Sequence, residues 1–168
     1  MMRKTRIGDI FVFITNDGKK RFFQYVSKDT SELYSDVIRI FSKYYTYDER
    51  PTPQDIISGE IECYVHTFLR WGNKMNLWEY YSNIPNVGGL DIWFRVSKDY
   101  GAFPKQKIVS NNWEVWKINE QKQFVGILPE KYYSASIGGV DGPLIVAQRL
   151  NDGIDPNIYY PAYKNEEE

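Results

Sequence analysis

The sequence predicts one α+β domain that is mostly β: a strongly bent antiparallel sheet or a partly open barrel, with one or two short helices. Two observations predict this class. Apolar and polar residues alternate with a period of two in several stretches, and aromatic residues, which favour strands, make up 17% of the composition. The length, 168 residues, is that of one domain. We expect residues 1–168 to form a single domain with a frayed tail at 164–168.

The first element is a hairpin in RIGDIFVFITNDGKKRFFQYV, residues 6–26. The apolar run Ile10–Ile14 and the run Arg21–Val26 are separated by Thr-Asn-Asp-Gly, which is a turn signal. Further strands are predicted in stretches bounded by Gly, Pro, Asn or Asp: DVIRIFSKYY, EIECYVHTFLRW, LWEYYSNI, DIWFRVS, NWEVWKIN, KQFVGIL and GPLIVAQRL. About eight or nine strands are therefore expected.

Short helices are predicted at two places. In ERPTPQDIISGE, Thr52 can cap a helix, Pro53 suits its first position and the glycine can end it. KDTSELYSDV is a weaker helix candidate, with Asp29, Thr30 or Ser31 as the capping residue.

The charge balance argues against a polyanionic partner. The net charge is −1, so no global basic field gathers phosphate or anionic lipid, and the chain is not expected to bind nucleic acid. Positive charge is concentrated in the first hairpin, which leaves the remainder acidic.

The single cysteine and the apolar runs indicate the compartment. Cys63 alone excludes an intramolecular disulfide and a cysteine-rich metal site, which favours a reducing environment. The N-terminal apolar run is too short for a signal peptide, and no stretch approaches the ~20 apolar residues of a membrane span. We expect a cytoplasmic protein with no membrane association, no metal and no cofactor.

No catalytic residue is assigned. His66 is the only histidine, which excludes mechanisms that need two imidazoles. It is three positions from Cys63, and this odd separation places the two side chains on opposite faces of a strand. We interpret His66 as a partly buried structural ring between Tyr64 and Phe68. No nucleophile elbow, P-loop or dinucleotide fingerprint is present.

A candidate binding surface lies in RWGNKMNLWEYYSNIP, where Trp71, Trp78, Tyr80 and Tyr81 surround a Gly-Asn turn. Tryptophan, tyrosine and arginine dominate the hot spots of protein interfaces. A small β-rich core uses the same aromatic residues, so a core role stays open. Base stacking would need interleaved basic residues.

Four stretches follow one another in this order: RIGDIFVFITNDGKKRFFQYV, HTFLRWGNKMNLWEYYSNIP, DIWFRVSKDYG and NNWEVWKIN. Together they resemble the immunity protein 26 family of bacterial polymorphic toxin systems. The likeness covers roughly residues 6–120 and is strongest in the opening Gly8-Asp9-Ile10-Phe11. The resemblance implies a small cytoplasmic β-rich protein that protects its cell by binding a toxin domain delivered by a neighbour, without catalysis.

Two alternatives follow from resemblance as well. Some members of that family are associated with a small phosphotriesterase, which makes a hydrolase the second hypothesis. The Gly-Asp-Ile opening followed by a hairpin also resembles messenger-RNA-cleaving toxins of the barrel type. The balanced charge and the long aromatic second half disfavour such a ribonuclease or nucleic-acid-binding barrel, which stays third.

An inhibitor needs a preorganised surface of aromatic anchors and complementary charge rather than reactive groups. The expected surface has aromatic anchors and an acidic rim: Trp71, Trp78, Tyr80, Tyr81, Glu60, Glu62 and Glu79. The acidic remainder of the chain suits a basic partner, such as a toxin domain that is a nuclease. An exposed aromatic strand is also compatible with a homodimer.

Overall fold

The structure, a computed structural model, describes residues 3–98 and 110–154. Within these residues the chain forms nine strands, three α-helices and a 3-10 helix at Glu130–Tyr132. The strands are β1 (Asp9–Ile14), β2 (Lys20–Lys28), β3 (Asp36–Phe41), β4 (Ile61–Thr67), β5 (Glu79–Asn83), β6 (Trp93–Ser97), β7 (Trp113–Lys117), β8 (Gln123–Gly126) and β9 (Ser136–Ile137). The α-helices are α1 (Pro53–Ile57), α2 (Leu69–Lys74) and α3 (Pro143–Asp152).

The strands form two sheets. The five-stranded sheet has the order β4-β3-β2-β1-β5, and all its pairs are antiparallel. The four-stranded sheet has the order β8-β7-β6-β9, in which β6 and β9 are parallel. Neither sheet closes into a barrel within the residues described. The mostly β, α+β class expected from the sequence is confirmed, with the strands divided between two sheets.

Strand β9 joins the two sheets. It pairs with β6, and it also lies against β4, where the Tyr64 amide donates to Ser136 Oγ at 3.1 Å. The interior between the sheets contains an apolar cluster in which Phe94 and Trp116 pack among Val26 and Val37, and the buried His66 ring lies against Phe94. The two sheets are therefore held together by a common core.

Both faces of the five-stranded sheet are buried. Phe11 and Phe23 lie in the cluster that includes Val146 and Leu150 of α3, whereas Ile10 and Phe22 lie in a cluster with Ile56 of α1. Strand β2 is accordingly buried at every position except its last. A strand covered on both faces has a continuous apolar run in place of an alternating pattern, which explains the run Ile10–Ile14 in β1.

Arg21 fastens α3 to the sheet from inside the protein. Its fully buried guanidinium donates to Glu62 Oε2 at 2.9 Å and to the Phe41 carbonyl at 2.8 Å. It also donates to the carbonyls of Arg149 at 3.1 Å and Leu150 at 3.3 Å. These carbonyls lie in the last turn of α3, where the Arg149 carbonyl also accepts the Gly153 amide at 2.8 Å, so the guanidinium adds a positive charge at the C-terminus of α3 while it neutralises Glu62.

The predicted helix at residues 53–57 is confirmed. The Asp55 amide donates to Thr52 Oγ1 at 3.1 Å, and the Thr52 amide donates to Asp55 Oδ2 at 3.1 Å, which is a capping box with Pro53 in the first turn. Among the described helices, none has the length and the apolar character required to cross a membrane.

The strand predicted in GPLIVAQRL is wrong, because this segment forms α3. Val146 and Leu150 are four residues apart and fully buried, whereas Leu144 and Ile145 are exposed. Four consecutive apolar residues concealed this helical period. Pro143 occupies the first position of the helix, where its missing N–H is not needed.

Two further local predictions are wrong. KDTSELYSDV is not helical, since Asp29 Oδ1 accepts the backbone N–H groups of Ser31 at 3.0 Å and Glu32 at 3.2 Å, which folds the chain into a turn. β4 ends at Thr67, so Trp71 belongs to α2 and not to a strand face. The expected frayed tail at 164–168 lies outside the described residues.

Candidate functional site

A groove of about 660 Å³ opens between the N-terminal residues, the end of β2 and helix α2. Aromatic and basic side chains line it together. We call it the aromatic groove and define it by Arg3, Lys28, Tyr34, Phe68, Arg70 and Trp71. Its volume lies within the range of ligand-binding clefts.

One wall of the aromatic groove is the corner between β4 and α2. The Leu69 amide donates to Asp36 Oδ2 at 3.0 Å, so a carboxylate occupies the N-terminus of the short helix. Leu69 is fully buried and anchors α2 to the core. As a result Phe68 and Trp71, which flank this anchor, remain 41% and 57% exposed.

The opposite wall is the turn after β2, which carries Tyr34. Asp29 holds this turn through its side chain, and its amide donates to the Ser35 carbonyl at 2.9 Å. Tyr34 has a φ of 46°, a left-handed conformation that is uncommon outside glycine, and its side chain is 68% exposed. The turn therefore presents an aromatic ring to solvent at the mouth of the groove.

A smaller cavity of about 150 Å³ adjoins the aromatic groove and shares Arg3 and Asn73 with it. Arg3 donates to the buried Asp9 at 3.0 Å, and its guanidinium carbon lies 3.5 Å from the centroid of the Tyr80 ring. Trp78 forms the inner wall and donates from Nε1 to Asn73 Oδ1 at 2.7 Å. The two cavities make one continuous surface.

The structure brings some of the predicted aromatic residues together. Trp71 lines the groove, while Tyr80 and Trp78 line the adjoining cavity. Trp78 is buried in the core, so it supports this surface and does not project from it. Tyr81 faces elsewhere, since its hydroxyl donates to the Pro51 carbonyl at 2.7 Å.

The predicted acidic residues do not surround the aromatic groove. Glu62 is paired with Arg21, and Glu60 precedes β4, at the end of that strand opposite Phe68. Glu79 is exposed on β5 and is not among the residues that line the groove. The groove is edged by basic side chains instead.

Sequence reasoning missed Tyr34, Phe68, Lys28 and Arg70. Phe68 and Arg70 were assigned to a strand, and only the spacing Phe68-x-x-Trp71 hinted at a helical face. Tyr34 and Lys28 are brought to α2 by the pairing of β3 with both β2 and β4, which no local pattern encodes.

His66 and Asp29 form a fully buried pair behind the turn that carries Tyr34. The distance from His66 Nε2 to Asp29 Oδ2 is 2.9 Å, and the imidazole lies 4.3 Å from the ring of Phe94. Burial raises the pKa of Asp29, but hydrogen bonds from His66 and two backbone amides outweigh it and lower the pKa overall. Burial lowers the pKa of His66, and the bond to Asp29 offsets this only in part. A neutral His66 imidazole that donates a hydrogen bond to an ionised Asp29 carboxylate is consistent with the lowered pKa of both groups.

The stability of the protein is expected to fall as the pH drops below 6.5, the ordinary pKa of histidine. Because the pKa of His66 is lowered in the folded state, the unfolded chain binds a proton first, with a slope of at most about 1.4 kcal/mol per pH unit. Urea unfolding at pH 7.5, 6.5 and 5.5 measures this change. His66→Gln keeps an amide donor for Asp29 and should remove the part of this pH dependence that comes from His66.

Asp141 is a second titratable group near His66. Burial raises the pKa of Asp141, which makes folding more favourable as the pH falls and so opposes the effect of His66. Because His66→Gln retains Asp141, the difference in pH dependence between the wild type and this variant reports on His66. The same pH dependence in both proteins between pH 7.5 and 5.5 would contradict the assignment of a neutral His66.

Cys63 and His66, the cysteine and the histidine of the chain, both lie in the interior. Cys63 lies on the opposite face of β4 from His66, as predicted, and burial raises the pKa of its thiol to about 12. His66 is fully buried and not, as expected, partly buried, because no part of its ring is exposed. In the described ranges, no group of three or more His, Cys, Asp or Glu residues is arranged to hold a metal ion.

Comparisons of the chain with protein-family models, with curated proteins and with solved structures found no match.

Proposed function

We propose that this chain is an immunity-type protein that binds and neutralises a toxin domain, with the aromatic groove as its binding surface and no chemistry of its own. The observation that carries the proposal is the exposure of Tyr34, Phe68 and Trp71 around one groove. Exposed aromatic rings gathered beside arginine are the composition of interface hot spots.

The groove is also preorganised, which supports a binding role. Asp9 holds the N-terminal segment through Arg3, Asp29 holds the turn of Tyr34, and Asp36 holds the start of α2. Each wall is thus fixed by a carboxylate before any partner arrives. A surface that is ordered in advance loses less conformational entropy on binding, which favours affinity.

The partner can be identified by cross-linking from the groove itself. A photoreactive benzoylphenylalanine in place of Trp71 should capture in native cells the protein that contacts the groove. The recovered partner is then expressed in a heterologous host with and without this chain. We expect growth arrest by the partner alone and restored growth on co-expression. Capture of a partner that is not toxic would contradict the immunity proposal.

Trp71→Ala is expected to weaken the complex at least tenfold and to leave folding stability within about 0.5 kcal/mol of the wild type. The ring is more than half exposed, so its loss removes contacts with the partner and few within the protein. Titration calorimetry with the recovered toxin domain and urea unfolding measure the two effects.

Phe124→Ala is the matched control, because Phe124 is an aromatic residue on β8 in the other sheet and is at least as exposed as Trp71. It should leave affinity unchanged. Loss of affinity in Phe124→Ala with full affinity in Trp71→Ala would place the binding surface on the four-stranded sheet.

A further inference from the structure

The aromatic groove carries unpaired positive charge. Lys4, Lys28 and Arg70 line it, and within the described residues their side chains make no hydrogen bond or ion pair. Arg3, at the boundary with the smaller cavity, pairs with Asp9 and is still 44% exposed. In a chain of net charge −1, three side-chain cations without a partner among the described residues are therefore gathered at one groove.

The acidic group in the groove is already engaged. Asp36 accepts the Leu69 amide through Oδ2 at 3.0 Å. Its carboxylate positions α2, and within the described residues no ion pair joins it to the lysines and arginines of the groove. Since unpaired like charges repel a basic surface, the groove disfavours the basic nuclease that the overall charge suggested.

The remaining surface limits which anion can bind. The whole chain has net charge −1, so residues outside the groove carry more negative than positive charge. Outside the groove the chain therefore has no excess of positive charge to bind the phosphates of a longer nucleic acid. A small inorganic anion would leave the exposed rings of Phe68 and Trp71 unused. A protein segment can present separate carboxylates and an apolar side chain together.

We infer that the occupant of the aromatic groove is an acidic protein segment. An apolar side chain of the partner packs between Phe68 and Trp71, and flanking carboxylates meet Lys28, Arg70 and the exposed part of Arg3. This inference rests on the proposed function, since it names the chemistry of the partner surface that the groove recognises. Charge-assisted bonds to arginine provide orientation, and the aromatic contact provides apolar burial.

The experiment uses synthetic probes and the full chain. A ten-residue peptide of glutamate and leucine is titrated into the protein, and the indole N–H resonance of Trp71, assigned with Trp71→Phe, reports binding. Peptides in which glutamine or lysine replaces glutamate, and a ten-nucleotide oligothymidylate, are the comparison probes. We expect the glutamate peptide to shift this resonance and to bind at least tenfold more tightly than the glutamine and lysine peptides.

Arg70→Glu and Lys28→Glu are expected to weaken binding of the glutamate peptide at least tenfold. Lys43→Glu makes the same change of charge beyond the other end of β3 and should leave it unchanged. Tighter binding of the oligothymidylate, with loss in Arg70→Glu, would overturn the inference in favour of nucleic acid. Equal binding of all peptides, or of none, would overturn it as well.

This test is separable from that of the proposed function. If the peptides fail and the recovered toxin still needs Trp71, only the acidic character of the partner is wrong. If the toxin complex is insensitive to Trp71→Ala, the groove is not the binding surface and the proposed function loses its support.

Discussion

Arg21→Met is expected to lower the free energy of unfolding by about 3–5 kcal/mol, the usual effect of removing one partner from a buried ion pair. The substitution keeps most of the side-chain volume but removes the buried guanidinium 2.9 Å from the Glu62 carboxylate, whose side chain is only 15% exposed. It also removes the hydrogen bonds that the guanidinium donates to the carbonyls of Arg149 and Leu150 at the end of α3. Urea unfolding followed by circular dichroism measures the change.

Two companion variants test the reason for this loss. Lys19→Met removes an exposed charge from the same hairpin, where Lys19 pairs with the exposed Asp17, and should change stability by about 0.5 kcal/mol or less. Glu62→Met in the Arg21→Met background removes the carboxylate that Arg21 neutralises in the wild type and should recover part of the stability. A loss below about 1 kcal/mol in Arg21→Met would mean that the buried pair contributes little.

Much of the fold could be predicted because its signals are local. The hairpin at residues 6–26 has its turn residues between two apolar runs, and α1 has its capping box written in the sequence. The error at α3 shows the limit of such signals. Val146 and Leu150 are buried against the sheet, whereas Leu144 and Ile145 are exposed. An unbroken apolar run does not reveal which of its residues will be buried.

The candidate site was predictable in residue type and less so in arrangement. The sequence predicts Trp71 and Tyr80 as interface residues, and both are exposed at the continuous surface of the groove and its adjoining cavity. It also predicts an acidic rim around this surface, because the chain after the first hairpin has a net negative charge. Arg21 shows why that count misleads: it contributes to the basic hairpin in sequence but is buried and neutralised in the fold.

Buried charges organise this protein around the groove. Asp9 and Asp29 are both fully buried, and each is held by a basic group or by backbone amides. Their hydrogen bonds fix the N-terminal segment and the turn of Tyr34. Binding and folding are therefore coupled through the same carboxylates, and a variant that disturbs them would change affinity through the shape of the groove.

Gly72→Ala is expected to destabilise the protein by about 3 kcal/mol, at the upper end of the usual cost of overpacking. Helix propensity alone predicts the opposite, a gain of about 0.5–1 kcal/mol. A Cβ at Gly72 would overlap Cζ2 and Cη2 of Trp78. The indole cannot turn away, because its Nε1 is bonded to Asn73 at 2.7 Å and its ring packs edge-on against Phe23 at 5.1 Å. Urea unfolding measures the sign directly.

The matched control for this prediction is Gly89→Ala, where a Cβ would meet nothing within 4 Å, so stability should stay within about 0.5 kcal/mol of the wild type. Trp78→Phe removes the ring atoms that collide, so Gly72→Ala made in that background should be neutral or stabilising. Because α2 carries Trp71, the single variant Gly72→Ala should also weaken toxin binding, whereas Gly89→Ala should not. A stabilising effect of Gly72→Ala in the wild-type background would mean that α2 does not pack on Trp78, and that the wall of the aromatic groove is built differently.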